Sequence, residues 1–523
     1  MAQQFLRQNV YELGGEWADP VLWYARGVKV MKERSFATPT SWLFYGAIHG
    51  IVEDAWRNVG LVDPGDQAPD ADVQQLFWRQ CQHGTWFFLP WHRGYLLAFE
   101  AVVRKAVVEA GGPEDWSLPY WNYFEDGQSA LPPEFASEDW PDGGPNPLFT
   151  QFRNGPAGDG KVFVDTTRVN LDAMSVADFT GVATGGDTGF GGVDTGGFAH
   201  GGSVHGRLES QPHDIVHVHV GGPRRNPGLM SIPDFAGLDP IFWLHHANID
   251  RLWEVWRRNP PDTHVDPTET GWLDFPLDST EQGFVLPLPV GTSMPVGTLM
   301  PDGTSWTFTP RDVGDMAALG YGYDDLSAAG PIAAVQDRRV KLGGTERRGA
   351  AEADVDEEVP VARDVELVGA NDGVVEIGSS EVRTSVRLDA AARDKVSGSL
   401  ARVAEGGEPD RVFLNLQNVR SSVDGGVLDV YVGAPEEPGG EEQPERLAGS
   451  VGLFGVQRAS LPDGDNAGAG LTIVLDISDI VDDLHLSDSL DVDTLSVRIV
   501  PEGAAPDDAA ITIGQVSIVR EGR

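Results

Sequence analysis

The sequence predicts a mainly α N-terminal domain followed by an all-β C-terminal domain of sandwich or barrel type, and three observations carry that reading. The segments SWLFYGAIHGIVEDAW (41–56) and WHRGYLLAFEAVVRKAVVEA (91–110) place apolar residues three and four apart, the period of a helix with a buried face. Beyond residue 363 the pattern changes to short alternating runs such as RVFLNLQNV, VLDVYVG, LTIVLDI, LSVRIV and ITIGQVSIV, with turn residues between them, as half-buried strands require. The 15 Trp are concentrated in the first 310 residues, so the two regions are built differently.

Taken in chain order, Ser41 or Thr40 is placed to cap the first of these helices and Pro90 to open the second. From about 140 to 205 the chain is rich in Gly, Asp and Thr, with GGDTGFGGVDTGGFAHGG as its extreme, and reads as loop: a solvated insertion or a cover over a site. A second helical pair follows around HDIVHVHV and DPIFWLHHANIDRLWEVWRR, and the helical region closes near LGYGYDDL at 319–326. Residues 330–362, ending in AAEADVDEEVP, have the composition of a linker. The expected organisation is therefore a domain over 1–329, a linker over 330–362 and a β-rich domain over 363–523. A chain of 523 residues is long enough for this, since single cores stop growing near 250–300 residues.

The formal charge is −42, and only six of the 38 basic residues are Lys. A surface this acidic repels phosphate backbones and argues against a nucleic-acid partner. Such an excess also fits work in concentrated salt, where screening over about 3 Å at 1 M relieves self-repulsion. Cys81 is the only cysteine, so no intramolecular disulfide forms. The N-terminus lacks the basic start and apolar core of a signal peptide, and no apolar run reaches the roughly 18 residues of a membrane span. No membrane association and a cytoplasmic location are expected by default, with export on a carrier protein or after processing as the alternative.

Nine of the 12 histidines fall in short clusters: His49, then His83 with His92, then His205 with His213, His217 and His219, then His245 with His246. His213 and His217 are four apart, which on a helix puts both rings on one face. Asp239 stands at an N-cap and Pro240 at the first position of the next helix. That helix is apolar nearly all round and so belongs in a core. A buried imidazole must be bonded or ligated, because leaving it unsatisfied costs about 1–3 kcal/mol. One such histidine reads as an ordinary core residue, but recurrence among bulky aromatics in HGTWFFLPWHRGYLLAFE (83–100) reads as metal binding. All-imidazole sets suit copper, zinc, iron and nickel; no carboxylate-rich di-iron pattern and no H-E-x-x-H motif is present, which favours copper.

The pattern H-x4-F-L-P-W-H-R-x2-L-x3-E from His83 to Glu100 resembles the first copper signature of tyrosinases, catechol oxidases and molluscan haemocyanins, and D-P-x-F-W-x2-H-x3-D from Asp239 to Asp250 resembles the second. The resemblance implies a four-helix bundle around two copper ions, with His49, His83 and His92 on one and His213, His217 and His246 on the other. It makes His245 a neighbour. It also implies a thioether between Cys81 and His83, as in fungal tyrosinases, against which stands an inert buried thiol. Arg93 and Asp250 would brace the helix pairs, and Arg7 would meet Tyr321 and Tyr323 through a cation over an aromatic face.

In GRLESQPHDIVHVHVGG (206–222), Glu209 matches a residue that holds a water in plant enzymes, and Asp214 replaces a common Asn. Both are candidates to take a phenolic proton. His219 stands where many relatives have Trp, and Ile232 or Pro233 lies near the residue above the second copper, an aliphatic choice that implies an open entrance. LAGSVGLFGV, LTIVLDISDIVDDL and ITIGQVSIVREG resemble the C-terminal domain of plant polyphenol oxidases, which covers the site until cleaved, with the 330–362 linker as the cleavage region; a permanently packed accessory domain is the alternative. The activity implied is oxidation of o-diphenols to o-quinones by O2 on a small phenolic substrate, with hydroxylation of monophenols left open. Haemocyanin-like O2 binding and o-aminophenol oxidation are the alternatives.

Overall fold

The computed structural model describes residues 5–522 apart from 79, 154–161, 259–263, 276–282, 328–337, 345–363, 434–444, 488–492 and 503–510. The N-terminal region is helical as expected. Its main helices are α1 (Asp19–Lys32), α2 (Trp42–His49), α3 (Phe88–Glu109), α4 (Ile215–Gly221) and α5 (Pro240–Arg258). Ser41 caps α2, its Oγ accepting from Phe44 N at 3.2 Å. Thr40 is not the cap. Helix α3 begins at Phe88, two residues before Pro90, so the proline sits inside the first turn, where its missing N–H costs nothing. Asp239 bonds the N–H of Ile241 at 3.1 Å at the start of α5.

Close approach fixes the helix packing. Gly27 of α1 lies against Val103 and Val107 of α3, where a Cβ would meet the Val103 side chain at 3.0 Å. Phe99 of α3 stacks on Trp243 of α5 with centroids 3.4 Å apart and planes within 6°. Arg93 Nε and Asp250 Oδ1, fully buried, lie 2.5 Å apart and join α3 to α5. Strand β1 (Phe5–Arg7) pairs in parallel with β2 (Tyr321–Tyr323), bringing the two ends of the helical region together. Arg7 sits 4.2 Å over the Tyr321 ring, and its guanidinium also bonds Glu100 at 2.8 Å and Asp250 at 3.2 Å. The expected cation–aromatic contact is thus part of a buried ion network.

The C-terminal region has a second core built on one nine-stranded sheet. Its strands are β3 (Asp364–Ala370), β4 (Val375–Ile377), β5 (Val382–Leu388), β6 (Arg411–Arg420), β7 (Val427–Gly433), β8 (Arg446–Gly452), β9 (Leu471–Asp476), β10 (Thr494–Pro501) and β11 (Ile511–Gly522). The order is β8-β7-β10-β5-β3-β11-β6-β9, with β4 on β11. The end strands β8 and β9 approach each other, a Cβ on Gly449 lying 3.0 Å from Leu475, so the sheet curls toward a barrel. Among the described residues, the longer helices α6 (Ala390–Ala401) and α7 (Ser478–Leu486) accompany the strands, a detail that the alternating pattern did not predict. Most of the 330–362 linker lies outside the described residues; Arg338–Lys341 forms a helical turn whose Arg338 pairs with Asp482 at 2.7 Å. Among the described residues no helix is long and apolar enough to cross a membrane.

The Gly-rich tract is neither a free insertion nor a simple cover. It threads between the two cores: Thr472 N of β9 donates to Ser203 O at 2.7 Å, Asn466 Nδ2 to Gly201 O at 2.7 Å, and Gly202 N to His83 O at 2.6 Å. Gly84 and Gly202 need their missing side chains there, since a Cβ on either would lie 2.5 Å or less from the other's backbone.

Candidate metal centre

The helix ends deliver the histidines. His49 is the last residue of α2, His83 precedes α3 and His92 lies in its first turns, His217 lies on α4, and His246 on α5. His213 stands in the turn Glu209–Asp214 just before α4, so the pair four apart spans a turn and a helix rather than one continuous helix; Gln211 within that turn is extended. The rings still meet, with centroids 4.5 Å apart.

Two buried groups result. His49, His83, His92 and Cys81 offer donor atoms within 4.8 Å of one another, and so do His213, His217, His245 and His246. The groups face each other: His92 and His246 stack at 4.4 Å with planes within 8°. Three of the outer ring nitrogens are held by backbone carbonyls, while His246 Nδ1 is buried without a partner. His49 Nδ1 donates to Pro233 O at 2.9 Å, His92 Nδ1 to Phe88 O at 2.8 Å, and His217 Nδ1 to Met230 O at 2.9 Å. That fixes the tautomer and turns the lone pair on Nε2 inward. The Nε2 atoms of His49, His83 and His213 are buried with no hydrogen-bond partner. Burial pushes His49 down to about 3 and holds His83, His92, His213, His217 and His246 well below the usual histidine value. Neutral, convergent, unpartnered imidazoles are the donor set that copper takes, so the residues fit the expected metal.

His245, expected as a neighbour, also belongs to the second group. Its Nδ1 is 3.4 Å from the Tyr123 hydroxyl, and its Nε2 is buried without a partner. His246 Nε2 lies 3.4 Å from His217 Nε2, and its ring stacks on His92 of the first group. Cys81 Sγ lies 3.4 Å from His83 Nδ1, and burial pushes its thiol up.

The two carboxylates sit at the edge of the groups. Both Glu209 oxygens accept from Gly84 N, at 2.9 and 3.0 Å, and Asp214 Oδ1 takes His213 Nδ1 at 2.9 Å. Burial raises Glu209 to about 8 against the pull of His205, and raises Asp214 too. His205, which the sequence reading left without a role, places Nδ1 2.7 Å from Asp214 Oδ2 and 3.9 Å from Glu209 Oε1. Burial alone would lower His205; the two carboxylates reverse that and push it up to about 9. His219 faces away, its Nδ1 accepting from Asp165 N at 3.3 Å.

Phe454 was missed by sequence reasoning. It follows β8, stacks on His217 at 4.2 Å, and lies 5.6 and 5.7 Å from His213 and His83. Phe454 comes from the other domain and, with Pro233 and His83, lines the small space left beside the histidines. The only hint in the sequence is an aromatic in GLFG at the end of a strand. Arginine–carboxylate pairs hold that domain down: Arg458 with Asp234, Arg411 with Asp187, and Arg168 with Asp429 at 3.1 Å. A cavity of about 690 Å³ remains between the domains, and His205, Gln211 and Asp214 form part of its wall.

Residues 39–259 match the common central domain of tyrosinase, and residues 364–521 match a domain of unknown function. A tyrosinase of Hahella sp. (strain CCB-MM4), HcTyr1, is 34% identical over 98% of this chain and 99% of its own length. The chloroplastic polyphenol oxidase of Malus domestica is 24% identical over 95% of this chain and 74% of its own. Among solved structures, latent apple tyrosinase covers 100% of this chain and 98% of its own with a TM-score of 0.56 at 19% identity, which is a likeness of fold.

Proposed function

The chain belongs to the tyrosinase family of dicopper phenol oxidases, and on that premise we propose that His49, His83 and His92 hold one copper ion and His213, His217 and His246 the other. The family fixes the reaction class, oxidation of phenols by O2; o-diphenols are the substrates proposed here. When bound, the copper pair supplies the oxygen and electron-transfer chemistry. The protein supplies neutral imidazoles in fixed tautomers, an aromatic wall that excludes water, and a place for the phenolic proton.

That proton has a reference pKa near 10, so its removal needs a base placed beside the site. Glu209 is the proposed acceptor, directly or through a water. With burial raising it to about 8, Glu209 accepts a proton through its ionised fraction, and the Gly84 N–H anchors it beside His83. Asp214 is the second candidate, with both oxygens engaged by His205 and His213.

The intact chain is proposed to be a latent form, because Phe454 occupies the space above the histidines. Arg338, Arg339, Lys341, Arg347 and Arg348 lie in the 330–362 linker and offer cleavage sites for a trypsin-like protease. The single observation that carries the functional reading is the facing pair of buried imidazole groups. Metal analysis after copper loading, with turnover of catechol, tyrosine and o-aminophenol before and after trypsin, tests it. Fewer than two copper ions per chain would sink it.

A further inference from the structure

Of the imidazoles assigned to metal, His49, His92 and His217 are held at Nδ1 by backbone carbonyls. His213 is held instead by a carboxylate, Asp214 Oδ1 at 2.9 Å. Asp214 is only 4% exposed, so its second oxygen needs a donor as well, or the carboxylate carries an unmet bond in the interior. His205 Nδ1 is that donor at 2.7 Å, and its side chain is 9% exposed. A ligand imidazole paired to a carboxylate is more basic than one paired to a carbonyl, and the orientation of the carboxylate sets the orientation of the ring.

We propose that His205 is a positioning residue for the second copper site: it fixes the plane of Asp214, and Asp214 in turn aims His213 and makes it the most electron-rich ligand of the set. The backbone around His205 is built to hold it. Val204 bridges to Thr472 of β9, and Gly206 packs directly on the Gly191–Gly192 backbone, where a Cβ would lie 2.6 Å from Gly192 N. His205 also stands 3.9 Å from Glu209, whose oxygens reach the backbone beside His83. One imidazole therefore ties the carboxylate of the second histidine group to the carboxylate that borders the first. Among the described residues the side-chain partners of His205 are Asp214 and Glu209, so its effect on His213 passes through Asp214.

The proposal rests on the dicopper reading, and the test separates the two. Full-length wild-type protein, H205L and H205N are loaded with copper and titrated with a chelator while each released ion is counted. Asn places its Nδ2 the same number of bonds from the backbone as the His Nδ1, whereas Leu has no donor. H205L is expected to release one of its two ions about 10–100-fold more readily than wild type, while H205N stays within about threefold. After trypsin, catechol turnover by H205L is expected to show a lowered kcat with KM within about twofold of wild type, and H205N to recover kcat.

Wild-type affinity for both ions in H205L would overturn the proposal. An equal loss of both ions in H205L and H205N, with a lowered melting temperature in each, would reduce His205 to a packing residue and overturn it too. A wild-type chain that binds no copper pair would overturn the dicopper reading itself. Should H205L not fold, H205M replaces it, since it too has no donor, and the same comparison with H205N decides.

Discussion

The ring of Phe454, carried by the C-terminal domain, lies parallel to within 26° over the imidazole of His217 with centroids 4.2 Å apart. The side chain is 1% exposed. The same ring also lies 5.6 Å from His213 and 5.7 Å from His83.

Replacing Phe454 by Ala opens the volume of that ring without touching the ligands. Catechol oxidation by the intact chain is expected to rise by at least about fivefold, because the closed form no longer competes with substrate. The same change should cost about 3–5 kcal/mol of stability as a cavity. Turnover before trypsin is the measurement, and an F454A chain as slow as the intact wild type would refute the plug.

Cys81 Sγ lies 3.4 Å from His83 Nδ1, beside the ring whose carbon a thioether would use. If the thioether forms, the tryptic peptide carrying both residues is lighter by a pair of hydrogens and its thiol no longer alkylates after denaturation. Mass spectrometry of copper-loaded and copper-free protein distinguishes this from a free thiol, and a fully alkylated Cys81 in the copper-loaded chain excludes the bond.

Arg153 and Asp239 form a pair with both side chains wholly buried at 2.7 Å, and Asp239 also caps α5, the helix of His246. R153L leaves that carboxylate unpaired and should cost about 3–5 kcal/mol in urea unfolding. R153L D239N should recover part of the loss. Equal stability of R153L and wild type would show that the pair contributes nothing.

Acid should unfold the copper-free chain early. Burial holds His49 and His245 at about 3 in the folded state, against about 6.5 in the unfolded chain. Below pH 6.5 the unfolded state binds more protons, so stability falls with pH, by about 2 kcal/mol at pH 5 for each such group. The stability is fully present above pH 6.5. Urea midpoints at pH 7.5 and 5.0 check the sign, and a midpoint unchanged or higher at pH 5.0 contradicts it. Copper loading should shift the loss to lower pH, since metal and proton compete for the same nitrogens.

The division between sequence and tertiary structure follows from range. The helical and β regions and the caps at Ser41 and Asp239 were legible because local periodicity encodes them, and the recurrence of buried histidines pointed to metal, while the assignment of His49, His83, His92, His213, His217 and His246 was implied by the family resemblance. The Arg93–Asp250 and Arg7–Tyr321 contacts followed from a family resemblance in the same motifs. Phe454, His205 and the threading of the Gly-rich tract were not legible. Each depends on a residue meeting a partner from a separate element: Phe454 is 237 positions from His217, and Thr472 pairs with a loop at Ser203. Local sequence determined which groups are available for metal. Only the docking of the two cores decided what stands over them, because burying one domain's aromatic against another's imidazoles is a property of surfaces that neither segment encodes alone.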